Sequence, residues 1–123
     1  PKPDTVPHFF TIVKQSGALL AKGRVLGIQF DTLFTDGLYE RGGAHATHMA
    51  DRIRAALTEK GYALASDAPT NQIFLALSPA QLEHLSAHVG MGFWEKQGDM
   101  TVMRIATSWA TQEADVERLI GLL

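Results

Sequence analysis

A single arginine stands in the middle of a segment with the composition of a β-strand. Residues 101–107, TVMRIAT, are apolar or β-branched except for Arg104, and this composition favours a strand. A guanidinium is charged at any ordinary pH, and its planar fork can bind a carboxylate or a phosphate through two parallel hydrogen bonds. Most arginines of this kind are exposed or paired with a nearby acid, so the stretch alone favours a structural role over anion binding.

A second candidate cation lies near the amino terminus. Lys14 stands beside small residues in the segment KQSG, residues 14–17, where its ammonium could approach an anion, although a solvated lysine is the more common case. Asp31, Asp36 and Glu40 could form an acidic cluster. Solvated carboxylates near a turn are more common than such clusters, so we assign them no chemistry.

Two histidine pairs have a spacing that suits metal binding. His45 and His48 are three residues apart, and His84 and His88 are four apart, so each pair could present two imidazoles on one face of a helix. A metal site also needs a third ligand and a second shell that orients the ligands, and the sequence singles out neither. We therefore expect solvated histidines and no metal.

The composition narrows the classes of function. The chain of 123 residues has no cysteine and a formal net charge of −2, which excludes thiolate chemistry and gives no electrostatic reason to expect nucleic acid. It contains no Walker or G-x-G-x-x-G loop and no G-x-S-x-G elbow, so nucleotide binding by those loops is unsupported. No apolar run is long enough to span a membrane, and we expect a cytoplasmic location.

The first half of the chain is predicted to be mostly helical. A proline-rich connector, residues 1–8, precedes a helix over residues 9–34 with apolar side chains at three-four spacing. Asp36-Gly37 marks a turn. A second helix continues to Lys60, with Gly61 as its stop signal, and its buried stripe is expected to comprise Ala46, Met49, Ala50, Ile53 and Leu57.

The second half is predicted to form a small sheet. Four strand-like segments include QIFLALS and a hairpin that turns at residues 97–99. Ser78 and Gln81 form a capping box that starts a helix, and Thr111 is expected to cap the last one. The fold class is thus α/β of the α+β kind: long amino-terminal helices, then a mostly antiparallel sheet with helices on one face. We divide the chain into the connector 1–8, connecting helices 9–60 and a small domain 61–123.

Three segments together resemble the carboxyl-terminal portion of low-specificity L-threonine aldolases. They are FFTIVKQSGALLAKGRVLGIQFDTLFTDGLY, SDAPTNQIFL and FWEKQGDMTVMRIATSWATQEADVERLIGLL, in this order and over nearly the whole chain. Those aldolases are β-eliminating lyases of the fold-type I class that depends on pyridoxal phosphate. The resemblance implies that this chain corresponds to the connecting helices and the small domain of such an enzyme.

The resemblance also implies roles for individual residues. In that family an arginine in the strand before the last helix binds the substrate α-carboxylate, and Arg104 holds the matching position. The basic residue of the segment matching residues 14–17 lies near the cofactor, often across a subunit boundary, so Lys14 is a candidate cofactor-binding residue. Asn71 matches a recurrent Thr-Asn pair, for which we infer only a structural role.

The same resemblance implies that part of the enzyme lies elsewhere. The lysine that forms the Schiff base with the cofactor belongs to the large domain, and no lysine here has its context. We therefore expect the 123 residues alone to be inactive. As part of a larger homo-oligomeric enzyme they would contribute to the conversion of L-threonine or L-allo-threonine to glycine and acetaldehyde. The alternative is a stand-alone module that binds a small carboxylate or assembles without catalysis.

Overall fold

A computed structural model describes residues 5–123, which form two compact units that divide between Leu38 and Tyr39. Within these residues no helix is both long and apolar enough to cross a membrane. The elements are, in order, α1 (Phe9–Gln15), α2 (Gly23–Phe34), a short 3₁₀ turn (Thr35–Gly37), α3 (Leu38–Glu59), β1 (Ala63–Leu64), β2 (Gln72–Leu77), α4 (Pro79–Ser86), β3 (Gly92–Gln97), β4 (Met100–Ala106) and α5 (Glu113–Leu122).

In the first unit, the prediction of one continuous helix over residues 9–34 is wrong, because α1 ends in a glycine-dependent cap. Gly17 has a left-handed φ of 67°. Its N–H donates to the carbonyl of Lys14, and the N–H of Ala18 donates to the carbonyl of Val13, both at 3.0 Å. This pair of bonds is the Schellman motif, which closes a helix wherever the residue after its last turn can adopt positive φ.

The helices of the first unit bury none of their side chains. Phe10 is 68% exposed and Phe30 is 62% exposed, although Phe30 stacks on Phe34 with 6.2 Å between ring centroids. The predicted turn after α2 is confirmed, since Asp36 and Gly37 have φ of 52° and 66°. The remaining exposed large apolar side chains of α1 and α2 are Phe9, Ile12, Val25, Leu26, Ile28, Leu33 and Phe34.

In the second unit, α3 has the predicted apolar stripe and the predicted end. Gly61 has φ of 80°, and the N–H of Tyr62 donates to the carbonyl of Leu57 at 2.9 Å while that of Gly61 donates to Thr58 at 3.1 Å. This second Schellman motif stops the helix where the sequence indicates. The buried residues are the five expected ones together with Ala56.

The four strands form one antiparallel sheet in the order β1-β2-β4-β3. Side chains alternate along β2, so that Ile73, Leu75 and Leu77 are buried and their neighbours are not. The buried face packs in one core with apolar residues of the three helices of this unit: Met49, Ala50, Ile53, Leu57, Leu85, Val116 and Leu119. The predicted fold class, with helices on one face of an antiparallel sheet, is confirmed.

Two of the three local predictions around the sheet are confirmed. β3 and β4 form the predicted hairpin, with Gly98 at φ 60° in its turn. The capping box of α4 is present, since Ser78 N–H donates to Gln81 Oε1 at 2.9 Å and Gln81 N–H donates to Ser78 Oγ at 3.3 Å. The predicted cap of α5 is wrong: Thr111 Oγ1 accepts from the N–H of Ser108, which lies before it, and the helix starts two residues later.

The division between the units differs from the one drawn from sequence. The sequence predicts connecting helices over residues 9–60, whereas the compact units divide between Leu38 and Tyr39. The physical reason is that the apolar stripe of α3 is part of the same core as the sheet. Residues 1–4 of the predicted connector lie outside the described residues, and residues 5–8 are turns and bends.

Candidate functional site

Arg104 lies at the centre of β4, on the face of the sheet that points away from the helices. Its strand neighbours Met103 and Ile105 pack in or against the core, and alternation directs Arg104 to the opposite side. In the antiparallel register it stands opposite Phe74 on β2 and Gly92 on β3. The prediction that Arg104 sits in a strand is confirmed, and its side chain is exposed.

Side chains from both neighbouring strands contact the guanidinium of Arg104. Its Cζ lies 5.9 Å from the centroid of the Trp94 ring, and its Nη1 donates a long hydrogen bond of 3.4 Å to Oε1 of Gln72. Trp94 in turn meets Phe74 edge to face at 5.0 Å. We call these four residues, Gln72, Phe74, Trp94 and Arg104, the outer-face cluster.

A β-bulge places Trp94 in this cluster. Phe93 pairs with Met103, whereas Glu95 pairs with Val102, so Trp94 is the extra residue between two consecutive pairs. Such a bulge redirects a side chain locally. Here the indole reaches Phe74 and Arg104 on the outer face.

Among the residues that the structure describes, Arg104 has no carboxylate partner. The other arginines whose contacts are resolved in this unit do: Arg52 pairs with Glu117, Arg54 with Asp51 and Arg118 with Asp115. A guanidinium has five N–H donors, and the only acceptor it meets here is a neutral amide oxygen. Of the two structural alternatives raised by the sequence, an exposed residue on the outward face of an alternating strand describes Arg104, whereas an ion pair with a nearby acid does not describe it in residues 5–123.

The end of β4 is held by a buried hydrogen-bond network three residues beyond Arg104. Thr107 is 3% exposed, and its hydroxyl donates to the carbonyl of Ala46 in α3 at 2.6 Å. The Nδ2 of Asn71 donates to the carbonyl of Thr107 at 2.7 Å, and the N–H of Thr107 donates back to the carbonyl of Asn71 at 3.0 Å. These bonds support the structural role inferred for Asn71 and join β4 to both α3 and the start of β2.

One histidine of each pair contacts a backbone carbonyl, and the rings of His84 and His88 also meet edge to face with 5.9 Å between centroids. Nε2 of His45 lies 2.8 Å from the carbonyl oxygen of Thr111, and Nε2 of His84 lies 2.9 Å from that of Leu122. Since a carbonyl oxygen only accepts, both rings act as donors, His45 to a residue just before α5 and His84 to the last residue of α5. In the described part of the chain no three His, Asp or Glu side chains gather to hold a metal ion. His45 is half-buried, so the expectation of a fully solvated ring does not hold for it.

The four lysines that the structure describes lie in two kinds of setting. Lys60 and Lys96 each donate to an oxygen of their own unit, a backbone carbonyl and a threonine hydroxyl. Lys14 and Lys22 are exposed in the first unit, Lys14 in the last turn of α1 and Lys22 just before α2. The location of Lys14 suits a cation at a helix carboxyl end. Its assignment to a cofactor stays a prediction.

Most of the chain is similar to known threonine aldolases. No protein-family model matches it. It is 34% identical over 107 residues to the low-specificity L-threonine aldolase of Pseudomonas sp. (strain NCIMB 10558), covering 86% of this chain and 30% of that relative. A solved structure of Leishmania major threonine aldolase matches 95% of this chain with 36% identity and a TM-score of 0.83.

A more distant likeness concerns the fold alone. The serine palmitoyltransferase of Sphingomonas wittichii matches 64% of this chain at 21% identity, with a TM-score of 0.54.

The chain is homologous to the carboxyl-terminal part of low-specificity L-threonine aldolase, as the resemblance in sequence predicted. It spans only 30% of the curated relative and 34% of the solved aldolase chain.

Proposed function

We propose that this chain serves as the carboxyl-terminal part of a pyridoxal-phosphate-dependent threonine aldolase and that Arg104 binds the α-carboxylate of the amino-acid substrate. The full-length protein would convert L-threonine or L-allo-threonine to glycine and acetaldehyde. The observation that carries the proposal is Arg104 itself: an exposed guanidinium with no acidic partner in residues 5–123, in a chain homologous to threonine aldolase.

The chemistry of the guanidinium suits that role. Two parallel N–H donors can hold both oxygens of a carboxylate and so fix the rotation of an amino acid about its Cα. The orientation of the bond to be cleaved is then set before reaction, which is catalysis by positioning. Hydrogen bonds to a charged group contribute roughly 1.5–3 kcal/mol each.

The cofactor would be held by the part of the protein that precedes this chain. Pyridoxal phosphate supplies the electron sink for carbon–carbon cleavage in such enzymes. No lysine of this chain has the context of the family's Schiff-base lysine, whereas Lys14, exposed in the last turn of α1, is proposed as a second cation near the cofactor. We therefore expect the 123-residue chain alone to be inactive.

The exposed apolar side chains of α1 and α2 support a further part of the proposal. A monomeric protein rarely leaves a large contiguous apolar surface open to water, yet none of the side chains of these two helices is buried. We propose that the large cofactor-binding domain and a second subunit cover them in a homo-oligomer. The interruption of the helix at Gly17 would let the two segments follow different surfaces.

The experiment that tests the proposal first is the intact mass and visible absorbance of the protein from its source, after addition of pyridoxal phosphate. We expect a polypeptide about three times this length, in keeping with the 30% coverage of its relative, with a visible band from bound cofactor. A species of 13.4 kDa without that band would contradict the proposal and support the stand-alone carboxylate-binding or assembly module.

The role of Arg104 is tested in the full-length protein by Arg104→Gln. Arg118→Gln is the matched control, since Arg118 is an exposed arginine of the same unit that pairs with Asp115 at 3.3 Å. Loss of one or more charged hydrogen bonds predicts a fall in kcat/KM of about 10- to 150-fold, with the control near wild type. Equal activities of the two variants would refute the assignment.

A further inference from the structure

We infer that Trp94 is a positioning residue for Arg104, fixing the guanidinium so that it meets a carboxylate in one orientation. The inference rests on the proposed function of Arg104 and adds a residue to the same site. It starts from the 5.9 Å separation between the Arg104 Cζ and the Trp94 ring centroid. This distance is within the range in which a cation is attracted to the face of an aromatic ring.

The Trp94 ring is itself held by a second ring. Phe74 meets it at 5.0 Å with an interplanar angle of 68°, the edge-to-face arrangement that aromatic pairs prefer. Phe74 stands on β2 directly opposite Arg104. The position of the indole is thus set by the bulge in its own strand, β3, and by its contact with Phe74 on β2.

Glycine at position 92 leaves the space through which the arginine side chain runs. A Cβ built on Gly92 would lie 3.7 Å from Nε and 3.8 Å from Nη2 of Arg104. A methyl group would only touch the guanidinium, whereas a longer side chain there would occupy its position. Gly92 stands opposite Arg104 in the register, so the arginine side chain lies beside the backbone of β3 at this glycine.

The physical benefit is preorganisation. A free arginine side chain samples many rotamers, and binding a carboxylate restricts them. An aromatic face that already selects one rotamer reduces that loss. At an exposed site such as this, where Trp94 is 53% exposed, a cation–π contact corresponds to about a two- to fivefold effect on affinity.

The test is made in the full-length protein with Trp94→Ala, Trp94→Phe and the control Phe93→Ala. Phe93 is the neighbouring exposed aromatic residue and pairs with Met103 rather than with Arg104. We expect Trp94→Ala to raise KM about two- to fivefold with a smaller change in kcat. The same variant should weaken inhibition by glycine, which has a carboxylate. Inhibition by ethanolamine, which has no carboxylate, should be unchanged. Trp94→Phe should restore most of the affinity.

A double-mutant cycle with Arg104→Ala separates the outcomes. If Trp94 acts through Arg104, Trp94→Ala has no further effect on glycine binding once Arg104 is removed. An equal loss of affinity in both backgrounds, or a loss in Trp94→Phe equal to that in Trp94→Ala, would overturn the positioning role and leave Arg104 as the clamp. If Arg104→Ala itself leaves glycine binding unchanged, the proposed function fails and the inference fails with it. Thermal midpoints of all variants identify any loss of affinity that comes from unfolding.

Discussion

The hydroxyl of Thr107 offers a sharp test of how the strand that carries Arg104 is held. In Thr107→Val the side chain keeps its shape and loses the donor that reaches the carbonyl of Ala46 at 2.6 Å. The carbonyl belongs to the interior of α3 and keeps its helical hydrogen bond, so it is not left wholly unsatisfied. We therefore expect a decrease in the free energy of unfolding of about 1–2 kcal/mol. This value lies between the net contribution of one hydrogen bond and the cost of leaving a buried acceptor without any donor.

The assay is urea and thermal denaturation of the chain, followed by circular dichroism. For a domain of about 60–100 residues, the size class of the unit Tyr39–Leu123 that contains β4, a loss of 1 kcal/mol lowers the thermal midpoint by about 4–8 °C. Thr107→Ser is the matched control, because it retains the hydroxyl and removes only a methyl group. If the valine variant is as stable as wild type, or if serine costs as much as valine, the hydrogen bond to α3 does not hold the end of β4.

Further predictions concern the caps and glycines of the same unit and can be checked by the same denaturation assay. Ser78→Ala removes the acceptor of the α4 capping box and should cost about 0.5–2 kcal/mol, while Ser78→Thr should retain most of the stability. Gly61→Ala forces a methyl-bearing residue into φ of 80° and should cost about 1–2 kcal/mol. Gly121→Ala, in α5 with open space around it, should instead stabilise by up to about 1 kcal/mol, and the same sign for both glycine variants would contradict this explanation.

The features predicted correctly are those specified by short stretches of sequence. The apolar stripe of α3 follows from a three-four periodicity over many residues, and its end follows from one glycine. Ser78, Pro79 and Gln81 specify the start of α4 by themselves. Each signal has a local mechanism, so no knowledge of distant partners was needed.

The errors arose where two local signals competed or where the partner was distant. The apolar spacing of residues 9–34 continues past Gly17, so the spacing predicts a helix through a glycine that in fact ends α1 at positive φ. Thr111 has a capping side chain, but its oxygen accepts from Ser108 instead of from α5. The role of Trp94 could not be seen because it depends on a bulge that appears only when β3 is paired with β4.

The outer-face cluster departs from what an antiparallel sheet with one uncovered face usually shows. Such a face is normally polar, yet here a tryptophan and a phenylalanine surround one arginine. The core gains little from an indole that is 53% exposed, so packing within this unit does not account for it. A ligand bound at this face would explain the two aromatic side chains. They would orient the guanidinium and lower the polarity around the charged hydrogen bond that it forms. The homology to threonine aldolase and the lack of an acid at Arg104 in residues 5–123 then favour the same ligand, a carboxylate supplied from outside the chain.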